Sequence, residues 1–583
     1  MYRSKRVSLF AGFFAFITFS LLFGLNCSPK SSLYFSDQAS GGGADTRQGF
    51  DVLSCTPGAG ANATDTRRLT RIELSNTLSD LFGATVFSEL SAPLSRLPDD
   101  LIVNDVDRFE NRYTRDHLDV IADIAFAAAQ SATATDARMN ALLTPNGSCT
   151  LATLTNACVQ NFIRNFGLKA WRRPLSAAEE TWALDAYNAG LNARDRFSAL
   201  ISALLIAPDF SYHWELGDGT GTNDEFNVSQ FEVASRLSYK LWSTMPDANL
   251  FGLAAQGRLN DPAVLESTVT TMLASPRAQQ KIREFFVFWL NTQNIPGLPD
   301  NANFVSGVDT TGLRSEMKRE LDEYVDYIVF SRRGNYRELL TSRVSFARTA
   351  PLAQIYGHNL SANPGLADQQ MAVGRKGLLL RAPFLISGTD YTHPIVRGVQ
   401  LRKRILCDTL GAPSPDAFLA QTQIVDANAA LTMNNRQRIT AVTSAPNCMS
   451  CHAAINPIGF ALESFDTLGR LRTTEVNYDA SGARISEHAL DLRVDDLKVD
   501  FVSGESVGSA EQLVDLIASS SKGSICMSRQ IFRYYNVRSE ASGGDACEVL
   551  DTNSGLAPAG GSILAGIKKQ VLNRYLQAKK VKR

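Results

Sequence analysis

A mainly α, multi-domain protein with one small β element is what the 583 residues predict. Three observations carry that expectation. Apolar residues recur at spacings of three and four through most of the chain, apolar/polar alternation is confined to 470–507, and at about 150 residues per domain the length allows roughly three to five domains. With 44% hydrophobic and 20% charged residues, the body is ordinary for a globular protein that buries real cores. Lys plus Arg (58) nearly equals Asp plus Glu (59), so no charge excess draws the chain to nucleic acid.

The elements follow in chain order. Arg3, Lys5 and Arg6 precede an apolar run from Val7 to Leu25, with Cys27 and a polar stretch directly after, which is the pattern of a secretory signal over 1–26. Cys27 stands where a bacterial lipoprotein signal places its lipidated cysteine, after a loose Gly24-Leu25-Asn26. The alternative is an uncleaved anchor helix, the run being close to the roughly 20 residues a span needs. Either reading expects export to the periplasmic side of a bacterial membrane, the outer membrane included, with the chain tethered there. Residues 27–66, with Gly41-Gly42-Gly43, read as a flexible stalk. Thr70 with Glu73 and Ser176 with Glu179 form capping boxes, and Gly83 can close the first helix. From Val228 to Leu290, Phe231, Ala234, Leu237, Leu241, Val269, Leu273, Ile282, Phe285 and Trp289 keep helical spacing. The stretch from Arg470 to Val507, in which Leu490 to Val494 and Leu497 to Phe501 alternate, predicts a small β element. Ile563 to Tyr575 reads as a closing amphipathic helix, and the basic tail from Lys579 to Arg583 as solvated charge.

Cys448-Met449-Ser450-Cys451-His452 is C-x-x-C-H, the attachment sequence for c-type haem. Two cysteines three apart on one helical turn reach both vinyl groups of a porphyrin, and the adjacent His452 becomes the proximal iron ligand. A redox dithiol needs a βαβ context that is missing. Zinc needs further ligands, and only His488 follows within 70 residues. The expected cofactor is therefore one covalent haem c.

The residues after the motif, Asn456-Pro457-Ile458-Gly459-Phe460-Ala461-Leu462-Glu463-Ser464-Phe465-Asp466-Thr467-Leu468-Gly469-Arg470, resemble the planctomycete-type cytochrome c family, large exported chains of five consecutive domains of unknown function. The resemblance continues through Arg67 to Glu73, Lys169 to Leu175, Ala234 to Asp247, Gly377-Leu378-Leu379 with Pro394-Ile395-Val396-Arg397-Gly398, and Cys526 to Arg538. It implies helical domains over 67–130, 150–216 and 226–355, a c-type haem-bearing domain over 370–475, and a C-terminal helical domain over 505–577. Relatives often carry His where this chain has Val442 and Arg381, so a sixth iron ligand is not expected from those positions. Met527 is the first remaining candidate, with Met433, Met371 and His488 behind it, and a five-coordinate iron is the alternative. By analogy with small c-type cytochromes, the Pro457 carbonyl is expected to orient His452, and Arg470 or Arg472 to meet haem propionates.

Six further cysteines in an oxidising compartment suggest disulfides: Cys149 with Cys158, Cys526 with Cys547, and Cys55 with Cys407. Gly504-Glu505-Ser506-Val507-Gly508 matches a nucleophile elbow, but no His follows it. Asp218 to Glu225 misses the calcium-loop spacing, and there is no nucleotide-binding fingerprint. No catalytic residue is singled out. The chain reads first as an electron-transfer protein with a redox partner protein in the envelope. A haem-dependent oxidoreductase comes second, and an envelope binding or scaffold lipoprotein with structural haem third.

Overall fold

The structure, a computed structural model, describes residues 54–56, 63–64, 66–100, 113–221, 225–299, 301–410, 432–479, 481–500, 504–541 and 543–581. The signal segment, Cys27 and most of the 27–66 stretch lie outside them. The fold is mainly α, and among the described residues no helix is long and apolar enough to cross a membrane.

Both capping boxes form as the sequence predicts. Thr70 accepts from the Glu73 amide and Glu73 returns to the Thr70 amide, starting Arg71–Ser88; Ser176 and Glu179 do the same for Ala177–Asn188. Gly83, at φ 75°, interrupts the first helix where the sequence expected it to end. Helices Arg71–Ser88, Arg115–Thr133, Asn156–Trp171 and Ala193–Ile206 share one core around Leu78, Ile124, Phe162, Phe166 and Leu200.

A second, larger core is continuous from Val228 to Leu576. Helix Pro276–Leu290 packs in it against Gln230–Trp242, Leu313–Asp326 and Ser521–Asn536. Ile458, Phe460 and Phe465, which follow the C-x-x-C-H motif, belong to the same core. The motif's helix is therefore anchored at its C-terminal half in the body of the protein.

The small β element lies within the expected 470–507 stretch, ahead of its two alternating runs. The hairpin is Thr474–Tyr478 paired antiparallel with Arg484–Ala489. Downstream, Val494 makes a single antiparallel bridge with Val507, and Asp496 and Lys498 take φ of 53° and 52°, which break an extended strand, so Leu497 and Val499 enter the core as irregular chain. The closing helix runs Ile563–Val571, with a 3₁₀ turn at Arg574–Leu576. The basic tail is not merely solvated charge: Ala578–Val581 is the central strand between Ala63–Thr64 (parallel) and Glu225–Asn227 (antiparallel).

The disulfides are Cys55–Cys547, Cys149–Cys158 and Cys407–Cys526. The local Cys149–Cys158 pair matches its spacing. The other four cysteines exchange the partners that proximity in sequence suggested, because Cys526 on Ser521–Asn536 faces the chain leaving the π-turn Leu401–Ile405, where its sulfur sits 3.3 Å from the Arg404 carbonyl. Cys547 lies beside Cys55, which bridges to Gly543. The far end of the stretch read as stalk is thus tied to the body. Non-reducing digestion is expected to release peptides joining Cys407 to Cys526 and Cys55 to Cys547; a Cys526–Cys547 peptide would contradict this arrangement.

Candidate functional site

Helix Pro446–Phe460 begins with Pro at its first position, where a missing amide costs nothing. Cys448, Cys451 and His452 stand at i, i+3 and i+4, so all three share one face of the first turns. Cys451 and His452 are half-buried, as is Cys448, and both cysteines stand outside the three disulfides. One turn further on, the ring Nδ1 of His452 lies 2.9 Å from the Asn456 side-chain oxygen. Asn456 in turn donates to the Thr443 hydroxyl at 2.8 Å, and that hydroxyl donates to the Ile439 carbonyl at 2.7 Å.

The helix is held by Pro394–Gln400. Gly398 faces the backbone of Ile455 and Gly459 faces that of Pro394, so closely that an added Cβ would lie 2.3 and 2.1 Å from the respective carbonyl oxygens. Two buried arginines flank this crossing. Arg397 donates to the carbonyls of Leu462 (3.1 Å), Phe465 (3.2 Å) and Asp466 (3.1 Å) and closes the helix's C-terminal end. Arg402, carried by the π-turn Leu401–Ile405, donates to the Ala454 carbonyl at 3.0 Å. Burial pushes Arg397 down to about 10 against the attraction of Glu463, which leaves it charged at neutral pH. His393 is also pushed down by burial, and secondarily by Arg397.

Glu463, 4% exposed, gathers the surrounding segments. It accepts from the Thr392 hydroxyl at 2.6 Å, the Asn435 amide at 3.2 Å, Arg397 at 3.4 Å and Arg472 at 3.1 Å. Glu475 on the hairpin accepts from the Asn435 backbone at 2.9 Å and from Arg438 at 3.1 Å, which docks the hairpin on helix Asn435–Val442.

Three family models match: PSD3, a protein of unknown function (DUF1587), over residues 67–134; PSD4, a protein of unknown function (DUF1592), over 228–358; and PSCyt3, a protein of unknown function (DUF1588), over 375–475. The chain belongs to the planctomycete-type cytochrome c family. No curated protein and no solved structure matches it. The C-x-x-C-H helix falls inside the PSCyt3 match, and the family is of cytochrome type.

The donor set of this cytochrome-type chain fits a haem. Two thiols and one imidazole share a helical face, and the imidazole has its Nδ1 engaged, which leaves Nε2 as the coordinating nitrogen. A zinc cage would need more donors, and among the described residues no group of three or more His, Cys, Asp or Glu forms one.

The residues expected to make second contacts are placed as follows. The Asn456 amide, not the Pro457 carbonyl, orients His452; that carbonyl accepts from the Ala461 amide at 3.2 Å as part of the helix end. Arg470 is held by Asp466 at 2.7 Å and by the Phe304 carbonyl at 2.7 Å, and Arg472 by Glu463, so both are engaged in the fold. Met527 is fully buried in the main core, and Met371 in a smaller core with Tyr356. Met433 precedes helix Asn435–Val442, and its carbonyl accepts from Asn477 of the hairpin at 3.0 Å. His488 is on the same hairpin, 3.1 Å from the Ser486 hydroxyl. Sequence reasoning missed Asn456 and Glu463. Asn456 carries a readable signal, standing four residues after His452 on the same helical face, whereas the partners of Glu463 come from three separated segments.

Proposed function

We propose that this protein is an exported, membrane-tethered monohaem c-type cytochrome that passes single electrons between a donor and an acceptor protein in the cell envelope. The observation that carries the reading is the placement of Cys448, Cys451 and His452 on one face of a helix whose imidazole is already held at Nδ1. Cys448 and Cys451 would hold the porphyrin through thioether bonds, and His452 would ligate its iron. The bound group supplies one-electron exchange at iron. The chain's own residues hold that ligand in place: Gly398, Gly459, Arg397 and Arg402 fix the helix, and Asn456 fixes the ring. Export and tethering rest on the N-terminal charge and apolar pattern and on Cys27.

A second reading, a haem-dependent oxidoreductase, is favoured by a cleft of about 320 Å³ where Arg71–Ser88 meets Gln230–Trp242 and Pro276–Leu290. Asp80, Trp242, Arg277 and Lys281 line it, and Asp80 pairs with Arg277 at 2.9 Å.

Both readings are tested by expression with a cytochrome c maturation system. The parent is expected to carry haem that survives denaturing electrophoresis and to show sharp low-spin bands on reduction. Cys448→Ala with Cys451→Ala abolishes the covalent attachment, and His452→Ala abolishes the low-spin spectrum. High-spin haem moves the assignment to the oxidoreductase, and a parent without covalent haem removes both.

A further inference from the structure

We propose that Asn456 is the positioning residue of the iron ligand: with Thr443 it fixes the tautomer of His452 and sets how much electron density the ring gives to the metal. The proposal rests on the haem reading above and goes beyond the motif that supports it.

The argument runs from the backbone outward. An amide side chain presents oxygen and nitrogen with nearly the same shape, so its partners decide which atom faces the ring. The Thr443 hydroxyl has one hydrogen and donates it to the Ile439 carbonyl, 2.7 Å away and one turn back on its own helix. Toward Asn456 that hydroxyl can only accept. Asn456 must therefore turn its Nδ2 to Thr443, at 2.8 Å, and its Oδ1 to His452, at 2.9 Å. An acceptor facing Nδ1 requires a proton on Nδ1, and the neutral ring then keeps its lone pair on Nε2, the atom a metal takes. Asn456 and Thr443 are 6% and 2% exposed, so bulk water does not replace either contact. The chain starts at a helix carbonyl, which cannot reverse its role, and so the whole sequence of donors has one direction.

The partner's character follows. A neutral amide is a weaker acceptor than a carboxylate, so it draws the Nδ1 proton less and leaves the ring a moderate donor to iron. Asn456→Asp is expected to favour the ferric form, Asn456→Leu the ferrous form, and Thr443→Val to shift toward the Leu variant because the amide is then no longer held in one orientation.

The test uses the matured full chain in a potentiometric titration. Asn456→Asp is expected to shift the ferric-to-ferrous ratio about tenfold at fixed potential, or 59 mV downward for a one-electron couple. Asn456→Leu is expected to move it the opposite way. Potentials equal to the parent's in all three variants, with the haem still bound, overturn the proposal. A second arm needs no haem. With ¹⁵N-labelled histidine in the haem-free chain, which has six histidines, the ring signal lost in His452→Gln is expected to report the Nδ1–H tautomer in the parent and to lose that preference in Asn456→Leu. An Nε2–H ring in the parent overturns the proposal. If the parent takes up no haem, the functional reading falls while this arm still decides the tautomer.

Discussion

Arg381→Ala is expected to lower stability by about 3–5 kcal/mol, the range seen when one partner of a buried ion pair is removed. Arg381 and Glu320 are both fully buried and pair directly. The guanidinium also stacks 3.4 Å from the Tyr324 ring centre and donates to the Val344 carbonyl at 2.6 Å. Glu320 further accepts from the Tyr356 hydroxyl at 2.9 Å and the Phe346 amide at 3.1 Å. Without Arg381 a carboxylate would stay buried with only these neutral donors, and the cost of that uncompensated charge exceeds the lost packing. The double variant Arg381→Met with Glu320→Leu is expected to recover part of the loss, since an apolar pair removes both charges. It does not recover all of it, because Tyr356 and Phe346 lose their acceptor. Chemical denaturation midpoints of the parent and the two variants check this, and an Arg381→Ala change as benign as a surface change would sink it. The pair joins the PSD4 match, which holds Glu320, to the PSCyt3 match, which holds Arg381. The residue found where relatives often carry histidine is thus a structural cation linking two segments.

The parts of the fold legible in the sequence are those decided within a few residues. The two capping boxes need only a side chain and an amide three apart, and C-x-x-C-H needs only one turn. The small β element was legible as far as the 470–507 stretch but its strands were not, because alternation from Leu490 to Val499 records which side chains are buried, while the left-handed φ at Asp496 and Lys498 keeps that run from forming a strand. The disulfide exchange among Cys55, Cys407, Cys526 and Cys547 was illegible for a different reason. Pairing follows which faces of packed helices meet, and Cys407 and Cys526 are 119 residues apart. Around the site, the shared helical face of Cys448, Cys451 and His452 and the likeness of Pro394 to Gly398 were readable, but the reason for that second motif was not. It lies in a backbone contact that becomes visible only when two helices cross.

That crossing makes the second large prediction, on Gly459 and Gly398. By helix propensity alone, Gly→Ala in a helix is expected to stabilise by about 0.5–1 kcal/mol. Here the sign is expected to reverse. A Cβ at Gly459 would sit 2.1 Å from the Pro394 carbonyl oxygen, and one at Gly398 would sit 2.3 Å from that of Ile455. Neither obstacle is a flexible side chain, so the helices must move apart, at a cost of about 1–3 kcal/mol for each overpacked position and more where the backbone cannot yield. The separation also draws Arg397 from the carbonyls of Leu462 and Phe465 and Arg402 from that of Ala454. The double variant Gly398→Ala with Gly459→Ala is therefore expected to lose more than either single change and to carry less covalent haem at equal expression. Gly252→Ala is the control: it is in helix Ala248–Ala255 with nothing within 4 Å of an added Cβ, so the propensity gain is expected there. Thermal melts together with haem per chain decide the matter. If Gly459→Ala melts higher, as Gly252→Ala is expected to, the close crossing does not hold the haem helix. If it melts lower and binds haem fully, the crossing stabilises the body without positioning His452.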